Sequence, residues 1–332
     1  MSRAFLLGAG ATRARYGNAP LSNDFLEKLM RKHVGLFNSI EKSLHGHVDK
    51  NNPLDEMNIE KVMTLAYTLE EENKNALLQC VYSAIYELLA ETTESTEEHI
   101  YTYLTGKRMT EPPLLRTLLV DKKRLTRDDF FMTLNYDLYL DREIISVNGG
   151  INYGLNEGYR QVNSGREYSA YRIPVSSDGL YPVYHLHGSL NWENTLNGHK
   201  IIIYPGAIRP LYNGEETNLC LMPPGIKELS PILKVIWENA EHKLLKSDEL
   251  IIIGCSLNPE DKKLIDLIRT FRDKKGINKI KIIHYIPGLS GEEYTDLTFE
   301  NIIGVGYKGY GHGFNLNGPS RNTPGAIKFI FS

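Results

Sequence analysis

Cysteine is scarce in this chain. Cys80, Cys220 and Cys255 are the three in 332 residues, and no two of them form a CxxC pair. That spacing argues against a disulfide framework and against a cysteine-rich zinc module, and it fits a reducing cytoplasm. Long hydrophobic runs are missing too. No stretch approaches the roughly 20 apolar residues of a membrane span, and the apolar run Ala4–Leu7 is too short for the core of a signal peptide. Charge of one sign is also lacking: 38 Lys and Arg face 41 Asp and Glu, for a net charge of −3. The chain therefore has neither a basic footprint for sequence-specific nucleic-acid binding nor a polybasic patch for a membrane surface. The expectation from these absences is a soluble cytoplasmic protein.

Hydrophobic residues make up 41% and charged residues 24% of the sequence, ordinary values that permit a large buried core. The length suits one large domain with a sub-domain, or two domains. Short apolar runs at Ala4–Leu7, Asp129–Leu134, Leu250–Ile253 and Lys279–His284 are continuous rather than alternating, as in strands buried on both faces of a parallel sheet. The first three lead into helical patterns. Ser22 is placed to cap SNDFLEKLMRKH, Asp137 begins DLYLDREII, and Asn258-Pro259 opens PEDKKLIDLIRTFRD. Strand, tight turn and helix in repetition predict an α/β fold, Rossmann-like, with a mostly parallel doubly wound sheet.

Residues 34–105 have a different texture. NIEKVMTLAYTL and ALLQCVYSAIYELLA carry apolar residues at helical spacing, which predicts an inserted helical sub-domain. The α/β domain then comprises 1–33 plus 106–332. Within it, 146–225 is an irregular insertion with short strands at Val183–His187 and Lys200–Tyr204. The glycines at 304, 306, 309, 311 and 313 predict a hairpin or loop rather than a nucleic-acid-binding tract.

Four stretches could carry chemistry. In FLLGAGATRARYG, Gly8 and Gly10 follow a strand, which suits either a plain tight turn or a backbone approach to an anion. The third glycine of a dinucleotide fingerprint is replaced by Arg13. In TLNYD, Asn135 lies past the end of a strand, where ligands of open sheets bind, and Asp137 can equally be a helix cap. In HLHGSLNW, Val183, His185 and His187 would share one strand face until Gly188 breaks it. Two histidines at i, i+2 with no further ligand nearby do not make a metal site. In IIIGCSLNPED, Gly254, Ser256 and Asn258 follow a buried strand, and Cys255 has no basic neighbour to generate a thiolate.

Taken together and in order, GAGAT with GNAPLSNDF, NIEKVMTL, TLNYD, YHLHGSLNW, and PPGIKELSPILKVIW leading to IIIGCSLNPEDKKLIDLI resemble the bacterial sirtuin-like family, in its branch without a zinc module. The likeness spans about residue 4 to residue 270. It implies a Rossmann-like sheet that binds NAD as a substrate, with no zinc. It also implies that Asn135 holds the nicotinamide-side ribose and a water, and that His187 acts as the base. Gly8, Ala9, Gly10 and Thr12 would cradle the diphosphate, with Pro20 beside them. Gly254, Ser256 and Asn258 would hold the adenosine half, and Asp137 would support Asn135 from behind. Ser189, Asn191 and Trp192 are expected to shape the wall beside the nicotinamide, and His185 to be structural. One departure is His284-Tyr285, where many relatives carry an asparagine on the ribose.

The implied activity is NAD glycohydrolysis to nicotinamide and ADP-ribose by a regulated effector of bacterial antiphage defence. Only Cys220 lies within 190–225, where deacylating relatives carry a four-cysteine zinc ribbon. NAD-dependent protein deacylation is therefore the alternative, and a non-catalytic NAD or ADP-ribose sensor the second. The chain has room for the catalytic unit and little else. Regulation is thus expected from a homo-oligomer or from a partner such as a translocase-type ATPase or an Argonaute-type protein.

Overall fold

The computed structural model describes residues 1–16, 19–44, 53–54, 57–94, 114–120, 124–155, 159–161, 175, 181–195, 199–204, 207–208, 210, 218–223, 229–287, 296–314 and 323–332. In chain order the first elements are β1 (Arg3–Leu7), α1 (Ala9–Tyr16), α2 (Phe25–Lys32), α3 (Val34–Ser43), α4 (Ile59–Ala66), α5 (Glu71–Glu94) and α6 (Leu114–Val120). Then come β2 (Phe130–Thr133), α7 (Tyr139–Asn148), β3 (Tyr159–Gln161), β4 (Val183–His185), β5 (Gly188–Asn194), β6 (Ile201–Ile203) and β7 (Leu219–Leu221). The last are α8 (Pro231–Leu244), β8 (Glu249–Ile253), α9 (Lys262–Lys275), β9 (Ile280–Pro287), α10 (Leu297–Ile303), β10 (Lys308–Phe314) and α11 (Thr323–Ile330).

Six strands form one sheet in the order β10-β9-β8-β1-β2-β4, and every pairing in it is parallel. β1, β2 and β8 are buried along their full lengths. Their unbroken apolar runs have this cause: helices on the two faces leave no wet side to a central strand. From β1 the chain first builds outward to β2 and β4, then returns to add β8, β9 and β10 on the other side. This is the predicted doubly wound, Rossmann-like α/β fold, and its order reverses between β1 and β8. A crevice opens outside the carboxyl ends of the strands at such a reversal.

The glycine-rich tail differs from the expected hairpin or loop: β10 is the parallel edge strand beside β9. Glycine is tolerated there because pairing uses the backbone and only one edge is shared. Nor does the strand at Val183 continue to His187. It ends at His185, and Leu186-His187 forms a turn. Gly188 (φ 85°) then starts β5, with its Cα packed so tightly that a Cβ would sit 1.7 Å from the Cys220 carbonyl oxygen. β5 belongs to a second, four-stranded sheet of order β3-β6-β5-β7.

Helix starts depart from the sequence reading at three places, the first being α7, which starts at Tyr139 with Leu138 rather than Asp137 at its N-cap. α2 is entered from Asp24, not Ser22; the Asp24 carboxylate takes the Leu21 N–H at 2.6 Å and an Arg13 guanidinium N–H at 2.9 Å. α9 begins after Asp261, whose side chain accepts the Leu264 N–H, while Pro259 lies in the preceding turn. Within 34–105, the described residues from Val34 to Glu94 include α3, α4 and α5, as the helical spacing predicts. Their buried side chains, such as Ile40, Val62, Met63 and Ile85, join one apolar core with the sheet. No helix among the described residues is long and apolar enough to cross a membrane.

Candidate functional site

The carboxyl ends of β1, β8 and β2 converge on a cavity of about 100 Å³. From the sequence-derived set, Gly8, Ala9, Pro20, Asn135, Asp137, His187, Ser256 and Asn258 line it. α4 and α5 cover it with Ile59, Glu60, Ile85 and Leu89. Gly10, Thr12 and Gly254 lie just behind the lining.

The glycines of the GAG turn first serve the sheet. Gly8 N–H donates to the Ile253 carbonyl at 3.0 Å and Gly10 N–H to the Gly254 carbonyl at 2.8 Å. A Cβ on either residue would stand 2.7 Å from the Gly254 carbonyl oxygen. These positions are glycine because β8 ends against them, and their two N–H groups are already used. An anion cradle at this turn would have to draw on other donors, although Gly8 and Ala9 both line the cavity.

Asn135 is oriented by a chain of hydrogen bonds. Its Nδ2 donates to the Gly8 carbonyl at 3.1 Å and to Thr12 Oγ1 at 3.0 Å. A carbonyl only accepts, so the amide nitrogen must face inward. Thr12 then directs its own proton to Asp137 Oδ2 at 2.9 Å, while Asp137 Oδ1 accepts the Tyr139 N–H at 2.9 Å. Among the described residues the Asn135 Oδ1 is left as an open acceptor on a residue that lines the cavity. Burial pushes the Asp137 carboxyl above its usual range, against the pull of the Tyr139 and Thr12 hydrogen bonds.

His187 is held from several sides. Its carbonyl accepts the Met222 N–H at 2.8 Å, and the Leu186 carbonyl accepts the Trp237 indole N–H at 2.8 Å. Its Nε2 lies 2.9 Å from Asp261 Oδ2, with both residues buried. Burial disfavours the charged imidazole. The hydrogen bond and charge of Asp261, the Glu60 charge and the Leu134 backbone outweigh it, so the ring titrates above its ordinary value. Asn258 Nδ2 donates to Glu60 Oε2 at 2.6 Å, joining the β8–α9 loop to α4 beside the cavity. In that loop the buried Leu257 takes a left-handed φ of 46°, which costs a bulky residue conformational energy. Burial pushes the Cys255 thiol up to about 12, keeping it protonated and non-nucleophilic.

His185 has a separate partner. Its Nε2 lies 3.0 Å from Asp141 Oδ2, and the Tyr153 hydroxyl donates to Asp141 Oδ1 at 2.6 Å. Asn191 donates to Tyr153 and to the Tyr204 carbonyl, and accepts from Ser189. Ser189, Asn191 and Trp192 thus belong to the buried interior of the second sheet and do not line the cavity, contrary to expectation. The turn at His187-Gly188 carries the chain away from the site.

Sequence reasoning did not single out Asp261, Glu60 or Tyr136, all of which line the cavity. For Asp261 a signal existed: an acidic residue three positions before Leu264, at the start of an amphipathic run, is a helix N-cap. Glu60 and Tyr136 carried no comparable pattern. His187 and Asp261 also border a second hollow of about 740 Å³, on the side of Trp237 and Leu229.

No family model matches the chain, and no curated protein matches it. Solved structures with a similar course include a Sir2 crystallised with the inhibitor EX-527, 2′-O-acetyl-ADP-ribose and a deacetylated p53 peptide, at 12% identity and a TM-score of 0.35. A second comes from work on the mechanism and regulation of Sir2 enzymes, at 13% identity and a TM-score of 0.37. Each match covers 85% of this chain and 80% of the other. At that distance the likeness transfers no residue, and the fold assignment stands on the sheet order itself.

Proposed function

We propose that this protein is an NAD glycohydrolase that releases nicotinamide and leaves ADP-ribose. The observation that carries the reading is the placement of Asn135 and His187, from motifs 52 positions apart in the chain, on one cavity at the reversal of a doubly wound sheet. Cleaving the nicotinamide–ribose bond passes through an oxocarbenium-like state. It needs a gripped ribose and an aimed water more than a covalent catalyst. An outward amide oxygen on Asn135 can accept from a ribose hydroxyl or hold the water, and an imidazole can take up its proton. Ala9 and Pro20 would border the diphosphate, and Ser256 and Asn258 the adenosine half.

α4 and α5 cover the cavity, and the Asn258–Glu60 hydrogen bond ties α4 to the β8–α9 loop. α3, α4 and α5 would act as the described part of a helical sub-domain over 34–105 that covers the substrate. A depleting NADase must rest silent, which fits regulation by self-association or by a partner protein, in a bacterial defence setting.

A second reading, NAD-dependent deacylation, is favoured by one observation. The larger hollow also borders His187, beside Trp237 and Leu229, where a second substrate could approach. Incubating the full chain with NAD, with and without an acetylated peptide, separates the two. Nicotinamide released without peptide, and lost in Asn135→Ala and His187→Ala, supports the glycohydrolase. Strict dependence on peptide overturns it in favour of the deacylase.

A further inference from the structure

Arg13 stands where a dinucleotide fingerprint would have a glycine for close packing of its helix. Its long side chain instead crosses from α1 to the segment that follows. One guanidinium nitrogen donates to the Ala19 carbonyl at 2.6 Å and to Asp24 Oδ2 at 2.9 Å. The other Asp24 oxygen accepts the Leu21 N–H at 2.6 Å. Lys28 of α2 donates to the same Ala19 carbonyl at 3.2 Å and lies 3.1 Å from the same Asp24 oxygen. At the far end of the segment the Ser22 carbonyl accepts the N–H of Ile59, the first residue of α4, at 3.2 Å. Ala19, Leu21 and Ser22 are thus each tied through the backbone, with Pro20 between them.

Pro20, Leu21 and Ser22 line the cavity, whereas Arg13, Asp24 and Lys28 do not. The Arg13 side chain is 14% exposed and that of Asp24 26%, so water screens their pairing only partly. The two cations differ in what they join. Lys28 follows Asp24 by four residues at the start of the same helix, and their pairing leaves α1 out. Arg13 is on α1, the helix that starts at Ala9. Its contacts therefore fix Ala9 and Pro20 relative to each other, and in the glycohydrolase reading these two residues border the diphosphate.

We propose that Arg13 is a positioning residue for substrate binding: through Ala19 and Asp24 it holds Pro20, Leu21 and Ser22 as a preformed wall for the diphosphate of the dinucleotide. This deepens the glycohydrolase reading and rests on it for the identity of the substrate, but the clamp itself can be measured without one. A preformed wall spares the cost of ordering the segment when the substrate arrives. The diphosphate takes no part in the bond that breaks, so the wall holds substrate and transition state alike. Its loss therefore falls on KM and leaves kcat nearly unchanged.

The test compares the full chain with Arg13→Met, Arg13→Gln, Arg13→Lys and Lys28→Met, reading amide hydrogen exchange, NAD affinity by calorimetry, and steady-state nicotinamide release. Methionine and glutamine both remove the charge, so a folding defect in one leaves the other to read. Each should speed exchange of the Leu21 amide by at least about 10-fold, because the Asp24 carboxylate that accepts it loses its guanidinium. Each should weaken NAD binding and raise KM by at least about 5-fold, with kcat within about twofold of the wild type. Arg13→Lys should recover part of the loss, since an ammonium supplies the charge without the planar fork. Lys28→Met should change every quantity less than either neutral variant of Arg13. Leu21 exchange unchanged in both neutral variants overturns the proposal, as does faster exchange with NAD affinity and KM unchanged. A loss confined to kcat, or an equal effect of Lys28→Met, overturns it too. Weaker NAD binding in the variants with no nicotinamide release in any protein establishes the positioning role and removes the glycohydrolase reading instead. A wild type that binds no NAD overturns both.

Discussion

Thr12 on α1 and Asp137 after β2 are 125 positions apart in sequence, yet their side chains share a hydrogen bond of 2.9 Å. Through it the orientation of Asn135 is set, because a Thr12 proton directed at Asp137 leaves the oxygen's lone pairs to the Asn135 amide. Thr12→Val keeps the shape and deletes this relay. We expect kcat for nicotinamide release to fall at least about 10-fold, as misaimed groups do, with a smaller change in KM. The uncovered Asp137 oxygen should also lower stability by about 1–3 kcal/mol. Steady-state kinetics beside a urea melt reads both, and an unchanged kcat would remove the relay from the mechanism.

Two glycines with left-handed backbones differ in their surroundings, and substituting each separates torsional cost from overlap. Gly149 ends α7 at φ 76° with nothing within 4 Å of a built Cβ. Gly149→Ala should therefore cost about 1–2 kcal/mol from the backbone alone. Gly188 (φ 85°) would place its Cβ 1.7 Å from the Cys220 carbonyl oxygen, so Gly188→Ala must also part β5 from β7. Its loss should exceed that of Gly149→Ala by at least about 2 kcal/mol. Equal denaturation midpoints would mean that the β5–β7 corner yields freely.

Acid sensitivity has an identifiable contributor in His284. Burial against Phe299 and Tyr307 lowers its pKa to about 4. Between the ordinary histidine value of about 6.5 and that figure, the unfolded chain binds a proton that the folded chain does not. This contribution to stability is therefore intact above that window and is lost as pH falls through it. Comparing Tm near pH 7 and near pH 5, the wild type should lose more than His284→Leu. The carboxylates act in both proteins, so the difference isolates this residue, and parallel losses would refute the assignment.

Asp141 accepts from both Tyr153 and His185 in a site where Asp141 and His185 have no solvent exposure. Asp141→Ala strands both partners, and we expect a loss of about 3 kcal/mol or more. Adding His185→Leu should recover part of it, since the second stranded group disappears. A double variant as unstable as the sum of the two singles would show that the two residues are not coupled.

The fold was legible where burial leaves a mark on composition. Ala4–Leu7, Phe130–Thr133 and Leu250–Ile253 sit between helices on both faces, so their apolar runs are continuous and announce central parallel strands. The edge strand β10 gave no such signal: its glycines contribute backbone pairing and little side-chain burial. The same limit hid the end of β4, where a turn replaces alternation at Leu186-His187.

Within the site, the strand-end pattern made Asn135 and His187 candidates among others, and only the resemblance singled them out. What the sequence could not contain is who faces whom. Gly8 and Gly10 look like donors for phosphate, but their N–H groups are given to the Ile253 and Gly254 carbonyls at the end of β8. His185 and His187 look like neighbours on one strand, but the turn sends one to Asp141 and the other to Asp261. Local pattern determined the strands, the helices and the residue types at their ends, since these answer to periodicity and to short-range hydrogen bonding. The partners of His187, the direction of the Asn135 amide and the cover supplied by Glu60 were decided by tertiary structure alone. They depend on elements that meet only when the sheet reverses its order between β1 and β8.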